Sequence, residues 1–224
     1  MRRLLAAALL TIGIAAAVQP TAAAAAPPDK VYESYDDRGG YGYLVVEGHR
    51  GHLRSEFSFE DQSEGRVLVH SARSFKTDCE AVDEHAVSCR HYDFLIAETR
   101  GGADSVDAGD APVEIGGYLG AGADELIGTA YDDFVRAGAG PDDVRTGALE
   151  DTVIAGPGDD HITPGNGIDQ VLGKGGDDFI DLSDRQPDRH ADCGPGEDVV
   201  VLDRFDRAGR NCETVRVESP GAGA

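Results

Sequence analysis

Seven aspartates, Asp124, Asp133, Asp142, Asp151, Asp160, Asp169 and Asp178, stand nine residues apart without a gap. Two residues after each comes an aliphatic: Leu126, Val135, Val144, Val153, Ile162, Val171 and Ile180. Glycines crowd the positions before several of them, at Gly120 and Gly122, Gly138 and Gly140, Gly156 and Gly158. Carboxylates and turn carbonyls at a fixed short period are the donor set of a hard cation such as Ca2+, which takes six to eight oxygens. The same period is the mark of a solenoid.

Each unit divides into a turn of Gly and Asp and three residues centred on the aliphatic, enough for a short strand with one side chain pointing inward. Glycine suits turns that need positive φ and close backbone approach. Two units complete a coil of 18 residues, and coils stack at strand spacing, about 4.8 Å. The coil sorts the aspartates onto two edges. Asp124, Asp142, Asp160 and Asp178 share the first; Asp133, Asp151 and Asp169 share the second. Stacked carboxylates repel unless a cation sits between them. Two residues before each aspartate the first edge has Gly122, Gly140, Gly158 and Gly176, whereas the second has Tyr131, Leu149 and Gly167. The first edge is therefore expected to hold well-formed calcium sites, about three between its turns, and the second weaker ones, at most about two. Asp133 and Asp151 are the weakest candidates. Tyr131 and Leu149 are expected to stack as a small apolar patch.

Gly120-Ala121-Gly122-Ala123-Asp124-Glu125-Leu126 resembles the glycine-rich nonapeptide of RTX, or haemolysin-type, calcium-binding proteins, G-G-x-G-x-D-x-U-x. Gly138–Val144, Gly156–Ile162 and, more loosely, Gly173–Ile180 do so too, and the resemblance covers roughly residues 101–202. The segment Cys193-Gly194-Pro195-Gly196-Glu197-Asp198 is similar to the cap of secreted actinobacterial members. The resemblance implies a parallel β-roll whose turns bind calcium.

The elements that must position these residues follow. The expected fold is all-β: a parallel β-roll over residues 101–183, a small β-structured region over 27–100 and a disulfide-bearing cap over 184–224. Inside the roll, Leu126, Val144, Ile162 and Ile180 form one stack facing Val135, Val153 and Val171. This core is thin against the ordering cost of so many glycines, so metal binding is expected to contribute folding energy. Residues 101–183 hold 18 acids against Arg136, Arg145 and Lys174, and self-repulsion should expand them without cations. Upstream, Gly101–Val106 is a good unit. Ile115 then keeps the aliphatic phase with Val113 in place of Asp, and a two-residue slip enters before Asp124. Downstream, Arg185–Asp188 breaks the phase. One more unit, Gly194–Val200, returns twenty residues after Asp178 and leaves Asp198 without an in-phase neighbour.

The flanks differ in composition. Residues 1–26 read as a cleaved export signal: Arg2 and Arg3, an apolar run from Leu4 to Val18, then Ala24-Ala25-Ala26. Strand-like runs occur at Tyr41–Glu47, Leu53–Phe59, Arg66–His70 and Tyr92–Thr99, antiparallel at first and then covering the open end of the solenoid. His49, His52, His70, His85 and His91 match no ligand spacing. Cys79, Cys89, Cys193 and Cys212 suggest two disulfides in an exported protein. Of three connectivities, Cys79–Cys89 with Cys193–Cys212 closes short loops and keeps each bridge in one cap. Residues 203–218, with alternating charges, suit a polar cap.

The net charge of −22 argues against nucleic acid or anionic membrane as partners, and no apolar segment follows the signal to insert in a bilayer. Calcium ions are the expected partner, with a cell-surface or matrix partner left open. H-E-x-x-H and G-x-S-x-G are both absent. The expected function is therefore a secreted, non-catalytic, calcium-stabilised module. The alternative is a secreted hydrolase with its catalytic region in 29–100.

Overall fold

The computed structural model describes residues 29–35, 42–48, 55–62, 66–71, 75–77, 79–82, 86–90, 93–189, 191–209 and 211–218. The export segment, the hairpin tip Asp83–His85, His49, His52, His91 and the Ser219–Ala224 tail lie outside them. Every regular element among the described residues is a strand. The front region contributes β1 (Asp29–Tyr35), β2 (Gly42–Glu47), β3 (Glu56–Gln62), β4 (Arg66–Ser71), β5 (Phe75–Thr77), β6 (Glu80–Ala81), β7 (Ala86–Arg90) and β8 (Phe94–Glu98). The roll continues through β9 (Ser105–Asp110), β10 (Ile115–Ala121), β11 (Glu125–Ile127), β12 (Phe134–Ala139), β13 (Asp143–Leu149), β14 (Thr152–Pro157), β15 (His161–Gly167), β16 (Gln170–Gly175) and β17 (Phe179–Asp181). Two strands follow, β18 (Val199–Leu202) and β19 (Thr214–Val217).

Successive strands alternate between two sheets, as a coil of two nonapeptides requires. One sheet has eight strands, ordered β16-β14-β12-β10-β8-β2-β1-β5; the other has eleven, ordered β19-β18-β17-β15-β13-β11-β9-β3-β4-β7-β6. From β8 and β9 onward each pairing is parallel. The front strands join the same stack: β2 pairs in parallel with β8 and β3 with β9, while β1–β2, β3–β4, β4–β7 and β6–β7 are antiparallel. The front region thus closes the first coil by extending both sheets. β1 and its parallel partner β5 are strands that the hydrophobic pattern did not signal.

The core is the pair of inward columns. In the eleven-stranded sheet, Phe57, Val106, Leu126, Val144, Ile162, Ile180 and Val200 pair in register and are all buried. In the other sheet Val135, Val153 and Val171 do the same. The slip before Asp124 resolves differently from the sequence expectation. Gly117, not Ile115, occupies the aliphatic position beside Val135. A Cβ on Gly117 would lie 2.5 Å from Cδ1 of Leu126, so the longer Leu126 has filled that space from across the core. Ile115 takes the aspartate position instead: its N–H donates to Oδ1 of Asp133 at 2.9 Å. Val113 is not the substitute.

Both bridges are local. Cys79–Cys89 ties the β6–β7 hairpin, and Cys193–Cys212, with Cα atoms 5.3 Å apart, closes the rear loop. A loop of that length contributes about 3 kcal/mol by restricting the unfolded chain. The rear end is less polar than its charges suggested. In β19, the edge strand, Val215 continues the inward column at 46% exposure and Val217 stands 63% exposed.

Candidate metal centre

The main chain sets the geometry of both aspartate edges. On the first edge each aspartate N–H donates to Oδ1 of the aspartate one coil later in the chain. The distances are 2.8 Å (Asp104 to Asp124), 2.9 Å (Asp124 to Asp142), 2.9 Å (Asp142 to Asp160), 3.0 Å (Asp160 to Asp178) and 2.9 Å (Asp178 to Asp198). The second edge repeats the device from Asp133 to Asp151 (2.7 Å), Asp151 to Asp169 (2.8 Å), Asp169 to Asp188 (2.8 Å) and Asp188 to Asp206 (3.1 Å). Each bond fixes one carboxylate oxygen and turns the other into the space between coils.

Except at Asp206, where the Asp203 N–H donates to Oδ2 at 2.8 Å, that second oxygen has no protein donor in these acceptors. Oδ2 of Asp124, Asp142, Asp160, Asp178 and Asp198 on the first edge, and of Asp151, Asp169 and Asp188 on the second, is buried without a hydrogen-bond partner. Buried polar atoms are otherwise almost always paired, and a row of orphaned anionic oxygens is an exception that calls for a cation. Nor does a direct ion pair neutralise them, Arg189 acting on Asp169 only from a distance. Among the described residues Arg145 pairs with Asp143 and Glu125, and Arg189 with Glu150; no described ion pair reaches a ladder aspartate from Asp124 onward.

Burial therefore pushes these carboxyls well above their ordinary range. Asp124, Asp160 and Asp169 rise to about 6, and Asp142, Asp151, Asp178 and Asp188 to about 7. The N–H donated to each opposes the rise, while the charges of neighbouring acids add to it. Asp198 and Asp206 shift upward for the same reasons.

At most of the turn positions glycine leaves the room for this stacking, Arg100 and Lys174 adopting the same positive φ in its place. Gly120, Gly122, Gly138, Gly140, Gly156 and Gly158 all have φ between +103° and +158°. A Cβ on Gly138 would fall 2.0 Å from the Gly120 carbonyl oxygen, and one on Gly140 1.7 Å from that of Gly122. Main-chain carbonyls thus line the first edge beside the carboxylates. They are needed there, because no three Asp, Glu, His or Cys side chains among the described residues converge into a metal-binding group by themselves. An open groove along this edge is lined by Asp104, Asp124, Glu125, Asp142, Asp143 and Asp159.

The second edge departs from this pattern at its start. Asp133 has both oxygens engaged: Thr129 donates its N–H to Oδ2 at 2.6 Å and its hydroxyl to Oδ1 at 2.8 Å. Asp133 is also pushed up to about 6, burial outweighing these bonds. Leu149 stands where the first edge has glycine and adopts φ +78° with its side chain 53% exposed. Tyr131 is 43% exposed and Ile168 40%.

The pattern matches a known one over its central part. A family model for the RTX calcium-binding nonapeptide repeat (4 copies) aligns with residues 118–153 and again with 146–180. RTX nonapeptide repeats bind Ca2+. Residues 118–180 carry that repeat. No curated protein and no solved structure matches the chain. The residues fit the ion: hard oxygen donors, orphaned carboxylate atoms and turn carbonyls are what Ca2+ coordinates.

Four ladder members escaped the nine-residue phase. Asp198 does have a neighbour in register, Asp178, although twenty residues separate them. Asp188 continues the second edge within the segment that broke the phase, and Asp206 follows it. Asp104, two residues out of step with Asp124, heads the first edge. The signal available was a D-x-aliphatic triplet at 198–200, where Val200 extends the inward column. Asp188 and Asp206 lack even that.

Proposed function

We propose that this chain is an exported, non-catalytic calcium-binding protein whose β-roll is stabilised, and in its repeat region folded, by extracellular Ca2+. The role is structural or adhesive at or beyond the cell surface. The observation that carries it is the double row of buried carboxylates whose Oδ2 atoms have no protein partner. Such a row is unfavourable without a cation and supplies ligands with one. The two disulfides fit an extracellular protein, and the arginine-led apolar start of the chain supports export. The lack of zinc-protease and serine-hydrolase motifs supports a non-catalytic role.

Calcium at extracellular levels, about 10⁻⁴–10⁻³ M, suits sites of this kind. Far-UV circular dichroism in EGTA followed by Ca2+ tests the reading, with strand signal expected to rise on addition. Strand content identical in both conditions would sink it. Mg2+, which keeps its waters and demands an octahedron, should substitute poorly. A hydrolase screen of the mature protein with and without Ca2+ tests the non-catalytic part. Turnover abolished by a substitution within 29–100 would overturn it.

A further inference from the structure

The RTX match ends at residue 180, but the first-edge ladder does not. Asp178 donates its N–H to Oδ1 of Asp198, and Asp198 donates its own to Oε2 of Glu213 at 3.0 Å. Glu213 thus takes the accepting role that an aspartate plays in every earlier coil. Asp178 is 2% exposed and Asp198 fully buried, and Oδ2 of each lacks a partner. The turn between them is in register with the repeat. Gly176 donates to the Pro195 carbonyl at 3.2 Å, Val199 to that of Asp178 at 2.8 Å, and Thr214 to that of Asp198 at 2.9 Å. Gly194 has φ +107°, and a Cβ there would meet the Lys174 carbonyl oxygen at 2.0 Å, the same close stacking seen between repeat glycines.

The covalent frame coincides with these ligands. Cys193 immediately precedes Gly194, and Cys212 immediately precedes Glu213. One bridge therefore fixes the spacing between the Gly194–Asp198 turn and Glu213. It does so where the coil is two residues longer than a repeat coil, so that sequence spacing alone no longer enforces register.

The geometry points to a further Ca2+ site outside the RTX repeats, held by Asp178, Asp198 and the carbonyls of the 194–198 turn, closed by Glu213 and clamped by the Cys193–Cys212 disulfide. It rests on the calcium reading above. The ion joins the cap to the roll, and its affinity depends on the redox state of the bridge. The sites between Asp124, Asp142 and Asp160 do not share that dependence.

Equilibrium dialysis of the full oxidised chain against 45Ca2+ tests this. Asp198→Asn, which preserves an acceptor for the Asp178 N–H, should bind one ion fewer than wild type. The Cys193→Ala/Cys212→Ala double variant should hold one ion at least tenfold more weakly, with the others unchanged. Glu213→Gln should weaken that same ion. It leaves every ladder aspartate in place, so it serves if Asp198→Asn loses strand signal. Wild-type stoichiometry and affinity in Asp198→Asn, or in Glu213→Gln where Asp198→Asn does not fold, would overturn the site. Unaltered affinity in the double cysteine variant would overturn the clamp. A wild-type chain that binds no Ca2+ would instead remove the underlying calcium reading.

Discussion

Along one edge of the roll, Asp124, Asp142, Asp160 and Asp178 each follow a turn with glycine two residues before the carboxylate, and each keeps one oxygen without a protein donor. Along the other edge the ladder is drawn with the same main-chain bond, but its first carboxylate is already satisfied. Thr129 gives Asp133 two hydrogen bonds, and Ile115 gives it a third. The aspartate is identical in type, burial and phase on both edges. What sets Asp133 apart is that a neutral donor reaches its second oxygen, as none does at Asp151, Asp169 or Asp188 on the same edge. A carboxylate solvated by the protein is a structural turn element, and one left unsolvated is a ligand awaiting an ion.

The largest expected effect tests what the edges share. Both hold carboxyls whose folded pKa is raised to about 6 or 7. Between the unfolded value of 3.8 and those values the metal-free fold binds more protons than the unfolded chain. The stability that these carboxyls contribute is therefore fully present below about pH 4 and is lost as pH rises through about 7. In EGTA the Tm should be higher at pH 5 than at pH 7.5 by on the order of 10 °C, and saturating Ca2+ should abolish or reverse that slope. A Tm in EGTA that climbs with pH would contradict the account of both edges.

Next comes a pair of substitutions meant to separate them. Asp142→Asn should stabilise the chain in EGTA, because it removes a buried charge while keeping the acceptor for the Asp124 N–H. It should destabilise the chain in Ca2+, with one ion lost. Asp133→Asn should behave alike in both media. It presents an amide N–H to a donor from Thr129 and should lower stability by about 1–3 kcal/mol with the ion count unchanged. Chemical denaturation with and without Ca2+ reads both, and an Asp133→Asn variant that loses an ion would erase the distinction between the edges. The smallest effect sharpens the comparison from the other side. Leu149→Gly relieves a leucine at φ +78° and should raise stability by about 1 kcal/mol, with second-edge affinity for Ca2+ improved. A lower Tm would show that the exposed leucine makes contacts worth more than its strain.

Most of the roll was legible because the two residue types that define it, the inward aliphatic and the edge aspartate, must recur for each coil to close. Both disulfides followed the shortest pairing among three alternatives. The rest was hidden for reasons that are physical. Register between coils is carried by the aspartate-to-aspartate bond, not by residue count, so coils of 19 and 20 residues stack as well as coils of 18. A search for a strict period stops at Asp178 for that reason. Gly117 vanished from the pattern because Leu126, reaching across the core, made its side chain unnecessary. Thr129 carries no sequence mark that distinguishes a hydroxyl aimed at its own aspartate from a surface one.

The ladder also has a direction. On the first edge every ladder aspartate N–H donates towards the coil that comes later in the chain, from Asp104 through Asp178 to Glu213. The two ends of the roll are consequently unequal under proteolysis. A cut that removes the last coil strands the ladder N–H groups whose carboxylate acceptors have gone, whereas a cut at the front strands strand N–H groups, such as that of Asp143, whose carbonyl acceptors lay one coil earlier.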